Sequence, residues 1–343
     1  MSDHKEAKSF SRFGYIMVAA GAAIGLGNIW KFPYLAYGDG GGAFVLIYIV
    51  ICILLGHPIV QAEQAVGRRG RASAAASYGV IHPKWRFVGV INIVCTFLID
   101  IYYLVVSGWV LKYFVTYVVS GDFGKDKQAY FDNYISSTTQ PLIYSLIIIA
   151  IIVFFLFFGI TNIVEKASKV IMPMLAVLLL VCGIYALIVV PGAVDGLKYY
   201  FVPDFSKFGM QQFADACMQV CFSVGIGWGI FTTLGASMDK DANLKADAWW
   251  VDICDTFIAL LAGFVIIPTV VGTGSEMSSG PSLVFVAMTQ IFETLPAGRI
   301  IGIFFFASLI FAVISTFFTI LEIPRMYVPV SYTHLTLPTK LEV

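Results

Sequence analysis

The chain has 343 residues, of which 59% are hydrophobic, 15% aromatic and 12% charged, with a mean hydropathy of +0.87. Soluble domains carry about 25% charged residues, so this composition excludes a soluble globular protein, and the apolar runs are helix-length, which excludes a barrel of short alternating strands. The formal net charge is zero and gives no reason to expect a nucleic-acid partner.

At about 20 apolar residues per crossing, the sequence predicts about eight spans, at 13–37, 42–66, 88–119, 141–159, 167–190, 213–238, 248–272 and 299–322. The residues ahead of the first span are polar, and no small-residue cleavage site follows before Gly25, so no cleavable signal peptide is expected. That first span is interrupted. Gly21, Gly25 and Gly27 weaken its helix, and Asn28 and Lys31 add polar groups where lipid tolerates few. Backbone carbonyls freed in hydrocarbon must find a partner or line a wet cavity, and with Asn28 beside them they suit a cation. The alternative is a glycine-packed helix contact, since Gly21 and Gly25 have small-xxx-small spacing.

The sixth predicted span is interrupted as well, by Gly225, Gly227 and Gly229 next to Ser223. Paired interruptions in two halves of a membrane protein point to a transport site between inverted repeats. A shift of five spans reverses direction, so the expected fold is all-α with inverted five-helix repeats, spans one and six unwound at mid-membrane. The segments on one side of the spans hold Lys5, Lys8, Arg12, Arg68, Arg69, Arg71, Lys84, Arg86, Lys166, Lys169, Lys240 and Lys245, against Lys125, Lys127, Lys198, Lys207 and Arg299 on the other. That asymmetry predicts a cytoplasmic N-terminus. The cysteines, Cys52, Cys95, Cys182, Cys217, Cys221 and Cys254, all fall in apolar segments and read as packing residues rather than a metal site or disulfides. Residues 1–330 are expected to form one transmembrane domain. Residues 331–343 read as an unrelated tail from a cloning scar or out-of-frame translation, a short natural cytoplasmic tail being the alternative.

Several stretches together resemble the neurotransmitter:sodium symporter family, above all its bacterial amino-acid transporters. They are the run from Gly25 to Tyr34, Gly40-Gly41-Gly42-Ala43-Phe44, Glu63 with Gly67-Arg68, Val164-Glu165-Lys166 with Lys169 and Met172-Pro173, and Asp195-Gly196-Leu197 with Pro203-Asp204-Phe205. The resemblance runs from about Arg12 to about Glu322. It implies a fold of about twelve helices, so the sequence is expected to be truncated after the eighth span, with an incomplete second repeat. It also implies a multi-pass protein of the cell membrane, the bacterial inner membrane in this case; a homodimer is compatible with it.

Carried over residue by residue, the resemblance implies two sodium sites. The first uses the carbonyl of Ala23, the amide oxygen of Asn28, Ser223 and Asp255, completed by the substrate carboxylate. The second uses the carbonyls of Gly21, Ile24 and Ala312 with the hydroxyls of Ser315 and Thr316. Without the family match, Ser223 and Asn28 would read as helix–helix hydrogen bonds, and Ser315 and Thr316 as hydroxyls bonded back to their own helix. The implied substrate pocket takes a carboxylate on the amides of Leu26 and Gly27 and the hydroxyl of Tyr103, with Ile99, Phe222, Trp228 and Ile320 as apolar walls. Lys31, Tyr103 and Phe222 form the implied gate, Lys31 standing where the family usually has arginine. Gly25 stands where monoamine transporters carry aspartate, and Gly225 leaves room for a side chain, so a neutral, hydrophobic or aromatic amino acid is expected. Asp255 replaces the asparagine of chloride-dependent members, so chloride should not be required.

Two further acids are read separately. Glu63 is expected to cap unwound backbone of the sixth span, and Asp100 either to receive a cationic substrate group or, preferably, to pair with a neighbouring helix. The leading function is therefore sodium-coupled amino-acid symport by alternating access. The alternative is a truncated, non-transporting membrane scaffold or binding fragment of the same fold. An intramembrane enzyme is disfavoured, because neither a His-Glu-x-x-His helix nor a Gly-x-Ser-x-Gly elbow is present.

Overall fold

The computed structural model describes residues 10–157, 164–239 and 241–333, and these are helical throughout apart from turns, short connections and one isolated bridge between Gly41 and Pro203. The expected first span is two helices, α1 (Arg12–Ala23) and α2 (Leu26–Gly38), bent by 58° at Ile24 and Gly25. The second is α3 (Gly42–Ile51) running through a π-turn at Cys52–Gly56 into α4 (His57–Gly70). A short α5 (Ala74–Ile81) leads to α6 (Arg86–Val119), the third span, whose 34 residues reach about 51 Å at the usual rise. Next, α7 (Lys127–Ser136) precedes α8 (Thr139–Phe157), and α9 (Glu165–Val189) and α10 (Ala193–Phe201) follow. The sixth span divides into α11 (Met210–Val224) and α12 (Ile230–Ala236). Then come α13 (Leu244–Thr273), α14 (Met288–Thr294), α15 (Gly298–Ile320) and α16 (Glu322–Thr333).

Among the described residues, five helices are long and apolar enough to cross a membrane alone, or up to seven if each of two bent pairs counts as a span. The sixth expected span is not among them. Its halves are 15 and 7 residues long, and α11 carries Gln211, Gln212, Asp215 and Gln219, so a broken and partly polar crossing escapes a test built on long apolar helices. Of the expected tail, Ser331 to Thr333 continue α16, while 334–343 lie outside the described residues. The outward faces of α6 and α9 are large and apolar, with Phe87, Ile91, Phe97, Ile101, Val170 and Val177 all exposed, as a lipid-facing surface requires. Cys95 shares that outward face, so it is not a packing residue as expected, whereas Cys52 and Cys182 are buried.

Each break has its own local cause. At the first, Ile24 and Gly25 adopt extended backbone (φ −74°, ψ 95° and φ −116°, ψ −172°), which ends α1 and starts α2. At the second, Gly225, Gly227 and Gly229 all sit at positive φ (73°, 80° and 78°), a conformation that costs other residues. Below that break, Gly67 and Gly235 let α4 and α12 approach backbone to backbone. A Cβ on Gly67 would strike the carbonyl of Thr232, and one on Gly235 that of Gln64. The lower half of the sixth span is thereby seated on α4, while α13 packs on α1 and α2, and α15 on α1, α6 and α9.

Candidate functional site

The two breaks meet in the middle of the bundle, and buried polar side chains gather there. Asn28, Ser223 and Asp255 are 1%, 2% and 0% exposed, and they form a closed cluster. The Asn28 amide nitrogen donates to Asp255 Oδ1 at 2.7 Å and to Ser223 Oγ at 2.9 Å. Ser223 Oγ in turn donates to Asp255 Oδ2 at 2.8 Å. The Asn28 amide oxygen accepts from the backbone N–H of Gly25 at 3.2 Å, which ties the cluster to the extended turn between α1 and α2. One residue comes from each of α2, α11 and α13, so the cluster exists only while both broken spans sit against α13. A buried carboxylate needs a partner, and these two donors serve Asp255.

From α15, Thr316 reaches across to the first break. Its hydroxyl lies 3.2 Å from the carbonyl of Gly21, 3.0 Å from that of Ile24 and 2.9 Å from that of Ala312, while Ser315 Oγ donates to the Ala312 carbonyl at 2.9 Å. A hydroxyl has one proton, so it can serve one of its three carbonyls at a time. The remaining carbonyls keep lone pairs aimed at the same small region, a donor set of hard oxygens that suits a hard cation. Gly21 permits the approach of α15, since a Cβ there would lie 3.0 Å from Ser315 Cβ.

Of the implied pocket residues, Gly25, Gly27, Tyr103, Phe222 and Trp228 have contacts at the breaks. A Cβ on Gly25 would lie 3.5 Å from the Tyr103 hydroxyl, and the Tyr103 ring packs on Phe317 with centroids 5.1 Å apart. That hydroxyl is buried and has no hydrogen-bond partner among the described residues. Phe222 packs edge-on against Trp228, and Gly27 is in contact with the Phe222 ring, where any Cβ would collide. Ile320 is fully buried, and Ile99 is half-buried against the core. The first amides of α2, those of Leu26 and Gly27, belong to a helix N-terminus, where N–H groups lack intrahelical acceptors. Of the implied gate, the Lys31 ammonium sits 4.5 Å above the centre of the Phe222 ring, while Tyr103 packs on Phe317 instead. Phe222 is 40% exposed, unlike the pocket residues beneath it. Beside this entrance, burial and the negative Asp215 push the carboxyl of Asp39 above its usual range, against the opposing pull of a bond to Gln212.

Unwound backbone at the sixth span is held by side chains. Glu63 Oε1 accepts from the N–H of Gly227 at 2.8 Å, which is the capping role read from the sequence. Two further residues of this set were not anticipated. Thr96 donates to the carbonyl of Trp228, and the Asn92 amide nitrogen, in the orientation its surroundings require, donates to that of Gly227 at 2.9 Å. Their signal was present as polar residues four apart in an apolar helix, on one face with Asp100. Also unforeseen are the ion pair of Arg12 with Asp247 at 2.8 Å and the buried contact of His57 Nδ1 with Asp252 at 3.0 Å. Asp100 departs from expectation. It is 7% exposed, and neither carboxylate oxygen has a partner among the described residues, so the neighbouring helices do not supply the expected pairing.

The sequence profile of the Sodium:neurotransmitter symporter family matches residues 7–121 and 131–329. The chain belongs to that family. An uncharacterised sodium-dependent transporter of Haemophilus influenzae is 34% identical over 328 residues, which cover 91% of this chain and 72% of that protein. A counterpart described in the same words in Bacillus subtilis is 33% identical, covering 94% of this chain and 72% of its own length. Among solved structures, the crystal structure of MhsT in complex with L-phenylalanine superposes with a TM-score of 0.86 at 34% identity, covering 95% of this chain and 76% of that one. The chain is thus a multi-pass membrane protein of a sodium-dependent transporter family, not an enzyme, with the fold that MhsT has.

Proposed function

We propose that this symporter couples inward sodium movement to import of a neutral, hydrophobic or aromatic amino acid by alternating access. The observation that carries the reading is the Asn28–Ser223–Asp255 cluster, which joins both broken spans around one buried carboxylate. In this reading sodium enters that cluster as a co-substrate, ligated by Asp255, Ser223, the Asn28 amide oxygen and the Ala23 carbonyl, and completed by the substrate's carboxylate. The amide of Asn28 must then turn, because its nitrogen now faces the carboxylate. A second sodium is held by Thr316, Ser315 and the carbonyls of Gly21, Ile24 and Ala312, a reading supported by three carbonyls converging on one hydroxyl.

The substrate lies between Tyr103, Trp228, Phe222, Ile99 and Ile320, its carboxylate on the Leu26 and Gly27 amides, with Gly25 and Gly225 leaving space. Phe222 and Lys31 close over it with Tyr103. The phenylalanine bound to MhsT supports an aromatic substrate class. Asp255 supplies the fixed negative charge, so chloride is not needed, and its protonation after sodium departs eases the return step. Residues 1–330 form the working domain with the N-terminus in the cytoplasm, as the distribution of Lys and Arg supports, in a bacterial inner membrane.

Equilibrium binding of labelled phenylalanine, tyrosine and leucine to the purified protein tests the shared ion. Binding is expected in sodium and not in potassium. Equal binding in the two salts refutes an ion shared between Asn28, Asp255 and the substrate carboxylate.

A further inference from the structure

The buried side of α6 carries a polar stripe, Asn92, Thr96, Asp100, Tyr103 and Ser107, spaced four, four, three and four residues apart and therefore on one face. Most of the stripe is satisfied. Asn92 and Thr96 hold the carbonyls of Gly227 and Trp228, and Ser107 donates to the Tyr103 carbonyl at 2.5 Å. The exceptions are the Tyr103 hydroxyl and both oxygens of Asp100, buried without a partner. Below Asp100, Thr96 touches Trp228; above it, Tyr103 borders Gly25 and Phe317. Asp100 therefore stands on the α6 face that borders the space between the two breaks, with Trp228 on one side and Phe317 on the other.

An unpaired carboxylate in a membrane interior is costly and marks a functional position. Asp100 forms no ion pair among the described residues. We infer that Asp100 selects the substrate's side chain, accepting a hydrogen bond from an aromatic ring that carries a neutral donor, a phenol or an indole N–H. The inference rests on the amino-acid reading above and narrows it. Charge decides between a neutral donor and a cation. With two sodium ions, a zwitterionic substrate and ionised Asp255, the site carries one excess positive charge, which an ionised Asp100 cancels. A cationic side chain would restore the excess in the low-dielectric interior, whereas a phenol or indole keeps the balance. The aromatic surroundings, Tyr103, Phe222, Trp228 and Phe317, suit the ring itself.

Competition by tyrosine, phenylalanine and lysine against sodium-dependent amino-acid binding tests this in the wild type, Asp100→Ala and Asp100→Asn. Tyrosine and phenylalanine differ by one hydroxyl. A site built to accept from it should prefer tyrosine by about ten- to a hundredfold, the usual worth of a hydrogen bond to a charged group. In Asp100→Ala that ratio should fall to about one, through weaker tyrosine binding and unchanged or tighter phenylalanine binding; Asp100→Asn should fall between. An unchanged ratio in Asp100→Ala overturns the inference, as does a wild type in which lysine outcompetes tyrosine. Loss of phenylalanine binding in both variants assigns Asp100 to the fold and also overturns it. A wild type that binds no amino acid in sodium overturns the proposed function and this inference with it, whereas sodium-dependent phenylalanine binding without a tyrosine preference leaves the proposed function standing and removes only the inference.

Discussion

Replacing Asp255 by asparagine isolates the charge of the central cluster from its shape. Each Asp255 oxygen now accepts one bond, from Asn28 at 2.7 Å and from Ser223 at 2.8 Å. In Asp255→Asn the introduced oxygen can still accept from Asn28, and the introduced NH2 can donate to Ser223, whose hydroxyl has two lone pairs. The contacts survive with the Ser223 bond reversed and its hydroxyl proton turned to another acceptor, so the fold should too. What disappears is a charge. Two charge-assisted bonds become neutral ones, a loss of about 1 kcal/mol each, and the sodium ion ligated by that carboxylate loses attraction of about 4 kcal/mol, the value for unit charges about 4 Å apart at an effective dielectric of 20. Sodium affinity should therefore fall by between about tenfold and nearly a thousandfold. The assay is sodium titration of amino-acid binding, run in chloride and in gluconate. The wild type should behave alike in both salts, and the variant should either fail or recover only in chloride. A wild type that stalls in gluconate, or a variant with unchanged sodium affinity in gluconate, refutes the argument.

The remaining predictions concern the other ion and the sixth-span turn. Ser315→Ala with Thr316→Ala should weaken sodium dependence while the protein stays folded, because neither hydroxyl is needed for packing; an unaltered sodium titration would return both residues to back-bonding on their own helix. Glu63→Leu removes the acceptor of the part-buried Gly227 N–H and should cost about 1 kcal/mol of stability, whereas Glu63→Gln keeps an acceptor and should cost less. Thermal unfolding in detergent reads the difference, and equal effects of the two substitutions would show that the hydrogen bond is not what holds the turn.

Both breaks were legible in the sequence because glycine and polar residues stand out inside apolar runs. Gly225, Gly227 and Gly229 could be read as a broken helix since each does adopt positive φ. Glu63 was legible for the same reason, as an acid that lipid would exclude and freed backbone would attract. Asn92 and Thr96 were missed because each alone reads as an ordinary hydroxyl or amide that helix backbone can absorb. Only the fold brings them opposite Gly227 and Trp228. The preference for pairing Asp100 with a neighbouring helix failed for a related reason. Sequence gives the face a residue occupies but not whether the facing helix presents a donor, and here the neighbouring positions of that face meet Trp228 backbone, taken by Thr96, and the Phe317 ring, packed on Tyr103.

The proposed ion sites differ in what they join, and that difference bears on coupling. Gly21, Ile24, Ser315 and Thr316 link the end of α1, where the first break begins, to α15, and those two helices are already packed together. Asn28, Ser223 and Asp255 link three elements whose relative placement depends on both breaks. An ion at the first of these adds to an interface that exists without it. An ion at the second fixes the angle between the half-helices and requires Asn28 to reorient, so its binding free energy can be differential between conformations, as any shift in a conformational equilibrium demands. The substrate carboxylate shares that second ion and no ligand of the first. Coupling between substrate and sodium should therefore reside at Asp255, and the sodium held by Thr316 should set how firmly α1 stays seated on α15.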